Sequence, residues 1–223
     1  MSPRSIGLDQ QLNDYVVEHT SAPGEVELAL IERTQSMRAG GMQIAPEQGE
    51  FLAMLVELLR PRLIVEVGTF TGYSALAMAT ALDRIDPDGT SRIICCDVSE
   101  EWTAIGREHW KRAGVADRID LRIAPAIDTL RALPEDTVID LAFVDADKGG
   151  YGTYVDAILD RLADDGLILV DNTLWSGAVV KRRDRSDDTE AIRAFNAAIA
   201  ADERVRQVLL PIGDGVTAIR RAR

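Results

Sequence analysis

The chain has 223 residues, 46% of them apolar, with 37 acidic residues against 25 basic ones and a formal net charge of −12. This length and apolar content fit one large domain with a sizeable core. The acidic balance argues against a nucleic-acid partner and against docking on anionic lipid, because both need clustered Lys and Arg.

Apolar runs and cysteines narrow the class of protein further. No apolar stretch approaches the roughly 20 residues that span a bilayer, and the N-terminus lacks the apolar core of a secretory signal. Cys95 and Cys96 are adjacent within an apolar run, which cannot supply a disulfide framework or a zinc site. We therefore expect a cytoplasmic protein in which both cysteines are small core residues.

The first part of the chain is predicted to be helical. We expect residues 1–60 to form a helical N-terminal extension of a single domain that covers 1–223. Apolar residues at helical spacing predict a helix over 25–38, with Leu28 among its buried members. A second helix is predicted over 46–59, because it begins with proline, which suits the first turn of a helix.

From residue 63 onward, apolar runs alternate with helical patterns. Strands are predicted at 63–67, 92–97, 119–123, 139–144, 166–170, 205–210 and 215–221. Helices are predicted at 73–82, 100–113, 126–132, 150–162 and 189–201. This alternation predicts an α/β fold with a Rossmann-like doubly wound sheet that is mostly parallel. The last two strands flank a Gly-Asp-Gly turn, which predicts a C-terminal antiparallel strand pair.

The turn after the first predicted strand carries the first functional signal. It has glycines at Gly68 and Gly72 but lacks the middle glycine that admits a pyrophosphate in dinucleotide-binding turns. Glu66, just ahead of the turn, would repel pyrophosphate and attract a sulfonium or an amino group. The alternative is a purely structural turn with a solvated glutamate.

Asp97 ends the second predicted strand, where an acid in such a fold can bind both hydroxyls of a ribose. The alternative interpretation is that Asp97 caps the helix that begins near residue 100. Because Asp97 follows the glycine turn with its preceding acid, the ribose interpretation is preferred.

Oxygen ligands follow two further predicted strands. Asp145 ends one apolar run, and Asp171 and Asn172 end the next. Carboxyl ends of parallel strands share one edge of the sheet, so these side chains offer three oxygens to a hard cation such as Mg²⁺, Ca²⁺ or Mn²⁺. Lys148 stands nearby and could accept a proton from a metal-bound hydroxyl. The alternatives are helix caps, a turn asparagine and a surface lysine in an ion pair.

A basic loop at 181–185 lies within a polar stretch that runs to residue 188. Such a loop is ordinarily a solvated connection. The less favoured interpretation is an electrostatic rim for an anionic substrate.

Three segments, at 65–74, 143–148 and 170–177, together resemble the cation-dependent O-methyltransferases. That family includes plant caffeoyl-CoA O-methyltransferases, bacterial relatives and, more distantly, catechol O-methyltransferase. The similarity extends from about Met42 through the Gly213–Gly215 turn. It implies the class I methyltransferase fold.

The resemblance implies roles for the residues at matching positions. The implied contacts of S-adenosylmethionine are Ile44, Glu66, Gly68, Thr69, Ser74, Asp97, Ala126 and Asp147. The implied ligands of a divalent cation, Mg²⁺ first with Mn²⁺ or Ca²⁺ as alternatives, are Asp145, Asp171 and Asn172. Lys148, as general base, and Asp145 are the predicted catalytic residues, and Trp175 and Ser176 are predicted to contact the acceptor.

The predicted reaction is cation-dependent transfer of a methyl group from S-adenosylmethionine to a hydroxyl of a catechol-like small molecule, by a homodimer as is usual in the family. Ser176 stands where the plant enzymes have a substrate-contacting Asn, and Gly149 and Gly150 replace bulkier polar residues. These differences argue against assuming caffeoyl-CoA as the acceptor. Two alternatives stay open: a metal-independent methyltransferase acting on another acceptor, and a catalytically silent module that binds S-adenosylmethionine.

Overall fold

A computed structural model describes residues 7–222; residues 1–6 and 223 of the predicted domain lie outside this part. A seven-stranded sheet forms its centre. The strands are β1 (Leu63–Val67), β2 (Arg92–Asp97), β3 (Ile119–Ile123), β4 (Ile139–Val144), β5 (Leu162–Val170), β6 (Val205–Leu210) and β7 (Val216–Arg221). The helices are α1 (Gln10–Glu18), α2 (Glu25–Gln35), α3 (Pro46–Leu59), α4 (Tyr73–Ile85), α5 (Glu100–Arg112), α6 (Ala126–Ala132), α7 (Tyr151–Leu159) and α8 (Asp187–Ala201).

The strand order is β3-β2-β1-β4-β5-β7-β6. Five strands, from β3 to β5, are parallel, while β7 runs antiparallel to β5 and pairs with β6 as a hairpin. The predicted doubly wound, mostly parallel sheet with a C-terminal antiparallel pair is therefore confirmed. Because β1 changes the direction of winding, a crevice opens beside its carboxyl end, where ligands bind in such sheets.

Helices cover both faces of the sheet, and each face has its own apolar cluster. On one face, α6, α7 and α8 pack on residues that include Val65, Val144 and Val170. On the other face, α2, α3, α4 and α5 pack on residues that include Ile64 and Phe143. The central strands are consequently buried on both sides, which explains their near-continuous apolar sequences.

Some predicted boundaries were wrong. Helix α2 ends at Gln35, and Leu28 is 45% exposed because the buried side of this helix is formed by Leu30, Ile31 and Thr34. Helix α7 ends at Leu159, and β5 already begins three residues later. The first half of β5 was not predicted because it contains two exposed acids, Asp164 and Asp165. It pairs with β4 across an irregular register.

Gly68 lets the carboxyl ends of β1 and β4 approach each other closely. Its φ is +88°, and a Cβ atom at this position would lie 1.9 Å from the carbonyl oxygen of Asp145. Only glycine fits both the left-handed backbone and the close approach. This contact places the turn after β1 directly beside the first predicted metal ligand.

Within residues 7–222, no helix is both long enough and apolar enough to cross a membrane.

Candidate active site

A cavity of about 1180 Å³ lies at the carboxyl ends of the parallel strands. Most of the predicted site residues line it: Ile44, Gly68, Asp97, Ala126, Asp145, Asp147, Lys148, Asp171, Asn172, Trp175 and Ser176. Three predicted cofactor contacts do not line it: Glu66, Thr69 and Ser74. The cavity thus joins the region of the glycine turn to the region of the predicted metal ligands.

The ammonium group of Lys148 forms hydrogen bonds with side-chain oxygens that follow two neighbouring strands. It donates to Oδ1 of Asp145 at 3.1 Å and to Oδ1 of Asn172 at 2.7 Å. Its third hydrogen bond, at 2.7 Å, goes to the hydroxyl of Tyr151. The Lys148 side chain is only 10% exposed. The ion pair with Asp145 that we considered as an alternative does exist, but it is inside the site rather than on the surface.

Aromatic rings support this cation. Tyr151 donates its hydroxyl hydrogen to the backbone carbonyl of Asp171 at 3.0 Å, so its oxygen is free to accept from Lys148. The Lys148 Nζ also lies 4.9 Å from the centre of the Tyr151 ring and 5.5 Å from that of Trp175. Such distances permit attraction between a cation and the ring faces.

The two acidic residues of this cluster are shielded from solvent. Asp171 is 2% exposed, and burial, followed by the charge of Asp145, raises its pKa to about 7. Burial also raises the pKa of Asp145, while the neighbouring Lys148 opposes that rise. A nearby cation stabilises the charged form of such carboxylates, as Lys148 does for Asp145.

Asn172 and the residues after it have an unusual backbone. Asn172, Trp175 and Ser176 have φ values of 56°, 49° and 48°, and Gly177 follows with 72°. Non-glycine residues in the left-handed region cost free energy and persist only when their surroundings hold them. Here the amide of Ser176 donates to Oδ1 of Asp214 at 2.5 Å.

Asp97 lies at the opposite end of the cavity, at the end of β2. Its Oδ2 accepts from the backbone amides of Thr69 and Phe70 at 2.9 and 2.7 Å. The cap of helix α5 is Ser99, whose hydroxyl oxygen accepts from the amide of Trp102 at 3.2 Å. Asp97 therefore does not cap this helix. Its carboxylate braces the glycine turn and lines the cavity.

Glu66 lies beneath that turn and is fully buried, so the alternative of a solvated glutamate is wrong. Burial raises its pKa to about 7, against the opposing effect of the adjacent Ser74 and Thr69 hydroxyls and the Cys95 thiol. Neither carboxylate oxygen has a hydrogen-bond partner of good geometry among the described residues. The role of Glu66, Thr69 and Ser74 as cofactor contacts stays a prediction.

The donor atoms at Asp145, Asp171 and Asn172 fit a hard divalent cation. Within residues 7–222, no group of three or more His, Cys, Asp and Glu side chains could hold a metal ion. A metal here would therefore depend on two carboxylates together with the amide oxygen of Asn172. Oxygen-only sets of this kind suit Mg²⁺, Mn²⁺ or Ca²⁺, and the negative charges of the two acids favour a cation.

The comparison with known families rests on nearly the whole chain. Residues 18–222 match the model of a family described as O-methyltransferase. The chain belongs to the O-methyltransferase family. This confirms both the resemblance and the enzyme class predicted from the sequence, a methyltransferase that depends on S-adenosylmethionine.

Individual relatives agree with this family. The O-methyltransferase is 39% identical to tricin synthase 2 of rice, in an alignment that covers 99% of this chain and 78% of that protein. It is 37% identical to caffeoyl-CoA O-methyltransferase of Mesembryanthemum crystallinum, with 98% and 89% covered. The crystal structure of the methyltransferase PaMTH1 from Podospora anserina, bound to SAH, superposes with a TM-score of 0.87 at 29% identity and 100% coverage of both chains.

Several residues that the sequence did not single out complete the site of this O-methyltransferase. The hydroxyl of Tyr154 donates to Oδ1 of Asp147 at 2.6 Å, one helical turn after Tyr151. Gln48, Trp102 and Asp214 also line the cavity. The two tyrosines could have been found from their spacing of three residues directly after the acidic cluster, whereas Asp214 reaches the site only through the hairpin.

Proposed function

We propose that this enzyme transfers a methyl group from S-adenosylmethionine to one hydroxyl of a catechol-like small molecule, with a divalent cation at Asp145, Asp171 and Asn172. The observation that carries the proposal is the convergence of the Asp145 and Asn172 side-chain oxygens on one cationic group. This cluster borders the same cavity as Asp97. The names of the relatives support the acceptor class, since they include caffeoyl-CoA O-methyltransferases.

The two ends of the cavity would bind different substrates, the methyl donor at one end and the acceptor at the other. The carboxylate of Asp97 would bind the ribose hydroxyls of the methyl donor, which fixes the donor beside the glycine turn. Ile44, Ala126 and Asp147 would complete the donor side, and Trp175 and Ser176 the acceptor side. Holding both partners in one orientation is itself a large contribution, since it can lower a barrier by roughly 7–11 kcal/mol.

Proton transfer falls to Lys148. When bound, the cation would supply Lewis acidity that makes the acceptor hydroxyl a stronger acid. The charge of the cation would also favour loss of a proton from Lys148, and the Nζ of the resulting neutral amine would accept the proton of that hydroxyl. The carboxylate of Asp145 and the hydroxyl of Tyr151 hold the Lys148 Nζ in position.

A pair of matched acceptors tests this function. Labelled methyl transfer would be measured with a catechol and with the corresponding phenol that has a single hydroxyl, both in Mg²⁺. We expect product from the vicinal diol and at least about tenfold less from the phenol, because only the diol presents two adjacent oxygens to a cation. Equal turnover of both would contradict the proposal and favour a metal-independent methyltransferase with another acceptor.

A further inference from the structure

The strained segment after Asn172 leads into a loop of residues 177–186. Short 3₁₀ turns between Trp175 and Val180 are interrupted by the left-handed backbone of Ser176 and Gly177, and α8 begins at Asp187. The residues that flank the loop line the cavity: Trp175 and Ser176 before it and Asp188 after it. The path of this loop therefore shapes the acceptor side of the cavity.

One side chain, Arg193 of α8, holds the loop. Its Nε donates to the carbonyl of Val179 at 2.9 Å, and its Nη2 donates to those of Ala178 at 2.8 Å and Lys181 at 2.7 Å. Its Nη1 donates to the carbonyl of Asp184 and to the carboxylate of Glu190, each at 2.7 Å. A guanidinium has five N–H donors, and the five contacts use all of them.

The carbonyls that Arg193 engages also define the turns of the loop. The amide of Lys181 donates to the carbonyl of Ala178, and the amide of Asp184 donates to that of Lys181, both at 2.9 Å. Arg193 thus fixes two successive turns at once, with a side chain that is 22% exposed. No lysine could replace these contacts, because an ammonium has three donors and no planar fork.

The metal-binding end of the segment has separate anchors. The amide of Thr173 donates to the carbonyl of Gly215 at 2.9 Å, and Asn196 donates to the carbonyl of Thr173 at 2.8 Å. Loss of Arg193 should therefore loosen the loop and leave Asn172 in place. The effect should appear on the acceptor and spare the methyl donor, whose predicted contacts lie at the other end of the cavity.

We propose that Arg193 is a positioning residue: by holding the backbone of residues 178–184, it fixes the acceptor side of the cavity, to which Trp175 and Ser176 belong. This inference rests on the proposed function, because it assigns that side of the cavity to the acceptor. It concerns binding of the acceptor and not the chemical step. Loss of the Arg193 contacts should consequently change the KM for the acceptor more than it changes kcat.

The test compares Arg193→Lys with Arg185→Gln. Arg185 lies in the same loop and pairs with the same oxygen of Glu190 at 3.1 Å, but it is exposed and bonds none of the four carbonyls. We expect acceptor KM to rise about tenfold in Arg193→Lys, since three donors replace five, and to stay near the wild-type value in Arg185→Gln. The affinity for S-adenosylmethionine, measured by calorimetry, should be unchanged in both.

Hydrogen exchange of the intact protein supplies a second, activity-independent readout. The amides of Lys181 and Asp184 should exchange faster in Arg193→Lys and not in Arg185→Gln. Unchanged exchange and unchanged KM in Arg193→Lys would overturn the proposal, as would an equal loss of donor affinity. Should Arg193→Lys fail to fold, Glu190→Ala is the second variant, because it removes the carboxylate that orients Nη1 of Arg193 toward the carbonyl of Asp184. The amide of Asp184 should then exchange faster than in Arg185→Gln, and equal exchange in these two variants would overturn the proposal.

These readouts separate the two proposals. If the wild-type enzyme methylated no diol, the proposed function would fail. The exchange rates would then decide whether Arg193 holds the loop. Normal turnover of a diol, with an Arg193→Lys variant that behaves as wild type, would refute the role of Arg193 alone.

Discussion

The side-chain nitrogen of Lys148 lies 2.7 Å from the side-chain oxygen of Asn172, although the two residues follow different strands of the sheet. The contact exists because β4 and β5 are parallel neighbours whose carboxyl ends meet at one edge. It shows that the oxygens of this edge converge on a positive charge.

Removal of a predicted metal ligand should abolish turnover and spare donor binding. In Asp171→Ala we expect at least about a hundredfold loss of methyl transfer, because a two-carboxylate site loses half of its charge. Calorimetry should show near-normal affinity for S-adenosylmethionine. Asp165→Ala is the control, since this acid is exposed on the same strand. Comparable activity in the two variants would exclude Asp171 as a metal ligand.

Lys148 should be required for the chemical step. In Lys148→Met, kcat should fall by about a hundredfold or more at saturating substrates, which is the usual range for loss of a general base. Lys148→Arg should be similarly impaired, because a guanidinium keeps the positive charge but does not give up its proton. Rescue of kcat by arginine would show that Lys148 acts through charge alone.

Asp97 should control binding of the methyl donor. In Asp97→Ala we expect the KM for S-adenosylmethionine to rise about tenfold to a hundredfold, because a charged hydrogen-bonding group is lost. The acceptor KM should change far less. Asp120→Asn is a suitable control, since its carboxylate pairs with Arg122 of the same strand, β3, and does not line the cavity. An unchanged donor KM in Asp97→Ala would contradict the ribose assignment.

Glu66 should make the stability of the metal-free protein depend on pH. Burial raises its pKa in the folded protein to about 7 from the 4.5 of an unperturbed glutamate, so the folded state holds this proton more tightly. The stabilising contribution is therefore complete below about pH 4.5 and is lost as pH rises to 7, by roughly 3 kcal/mol.

Urea unfolding between pH 5 and pH 8 measures this effect. Glu66→Gln should lose less stability than the wild-type protein over that interval, because an amide does not titrate. Glu57→Gln, which changes an exposed partner of Arg84, should keep the wild-type dependence. Identical pH profiles for Glu66→Gln and the wild-type protein would show that Glu66 does not titrate with a raised pKa.

The sequence predicted the sheet and much of the cavity lining because both depend on local patterns. Apolar runs mark the strands, and polar residues directly after them fall at a shared edge, which brings Asp145, Asp171 and Asn172 together. Arg193 could not be predicted in this way. Four of its five acceptors are backbone carbonyls, which have no sequence signature, and their positions depend on the left-handed backbone after Asn172.

Glu66 illustrates a different limit of sequence-based prediction. Its position before the glycine turn predicts a contact with a bound ligand, and that contact stays a prediction. The structure adds that the side chain is fully buried beneath the turn and does not line the cavity. An acidic residue in an apolar strand indicates an unusual environment, but the sequence does not tell which side of the turn it occupies.

Dependence of methyl transfer on a divalent cation would distinguish the proposed metal site from every metal-independent alternative. The wild-type enzyme would be stripped with EDTA, assayed with S-adenosylmethionine and a catechol, and assayed again after Mg²⁺ is restored. We expect transfer to disappear in EDTA and to return with Mg²⁺, while Asp171→Ala stays inactive throughout. Full activity in EDTA would contradict the assignment of Asp145, Asp171 and Asn172 as metal ligands.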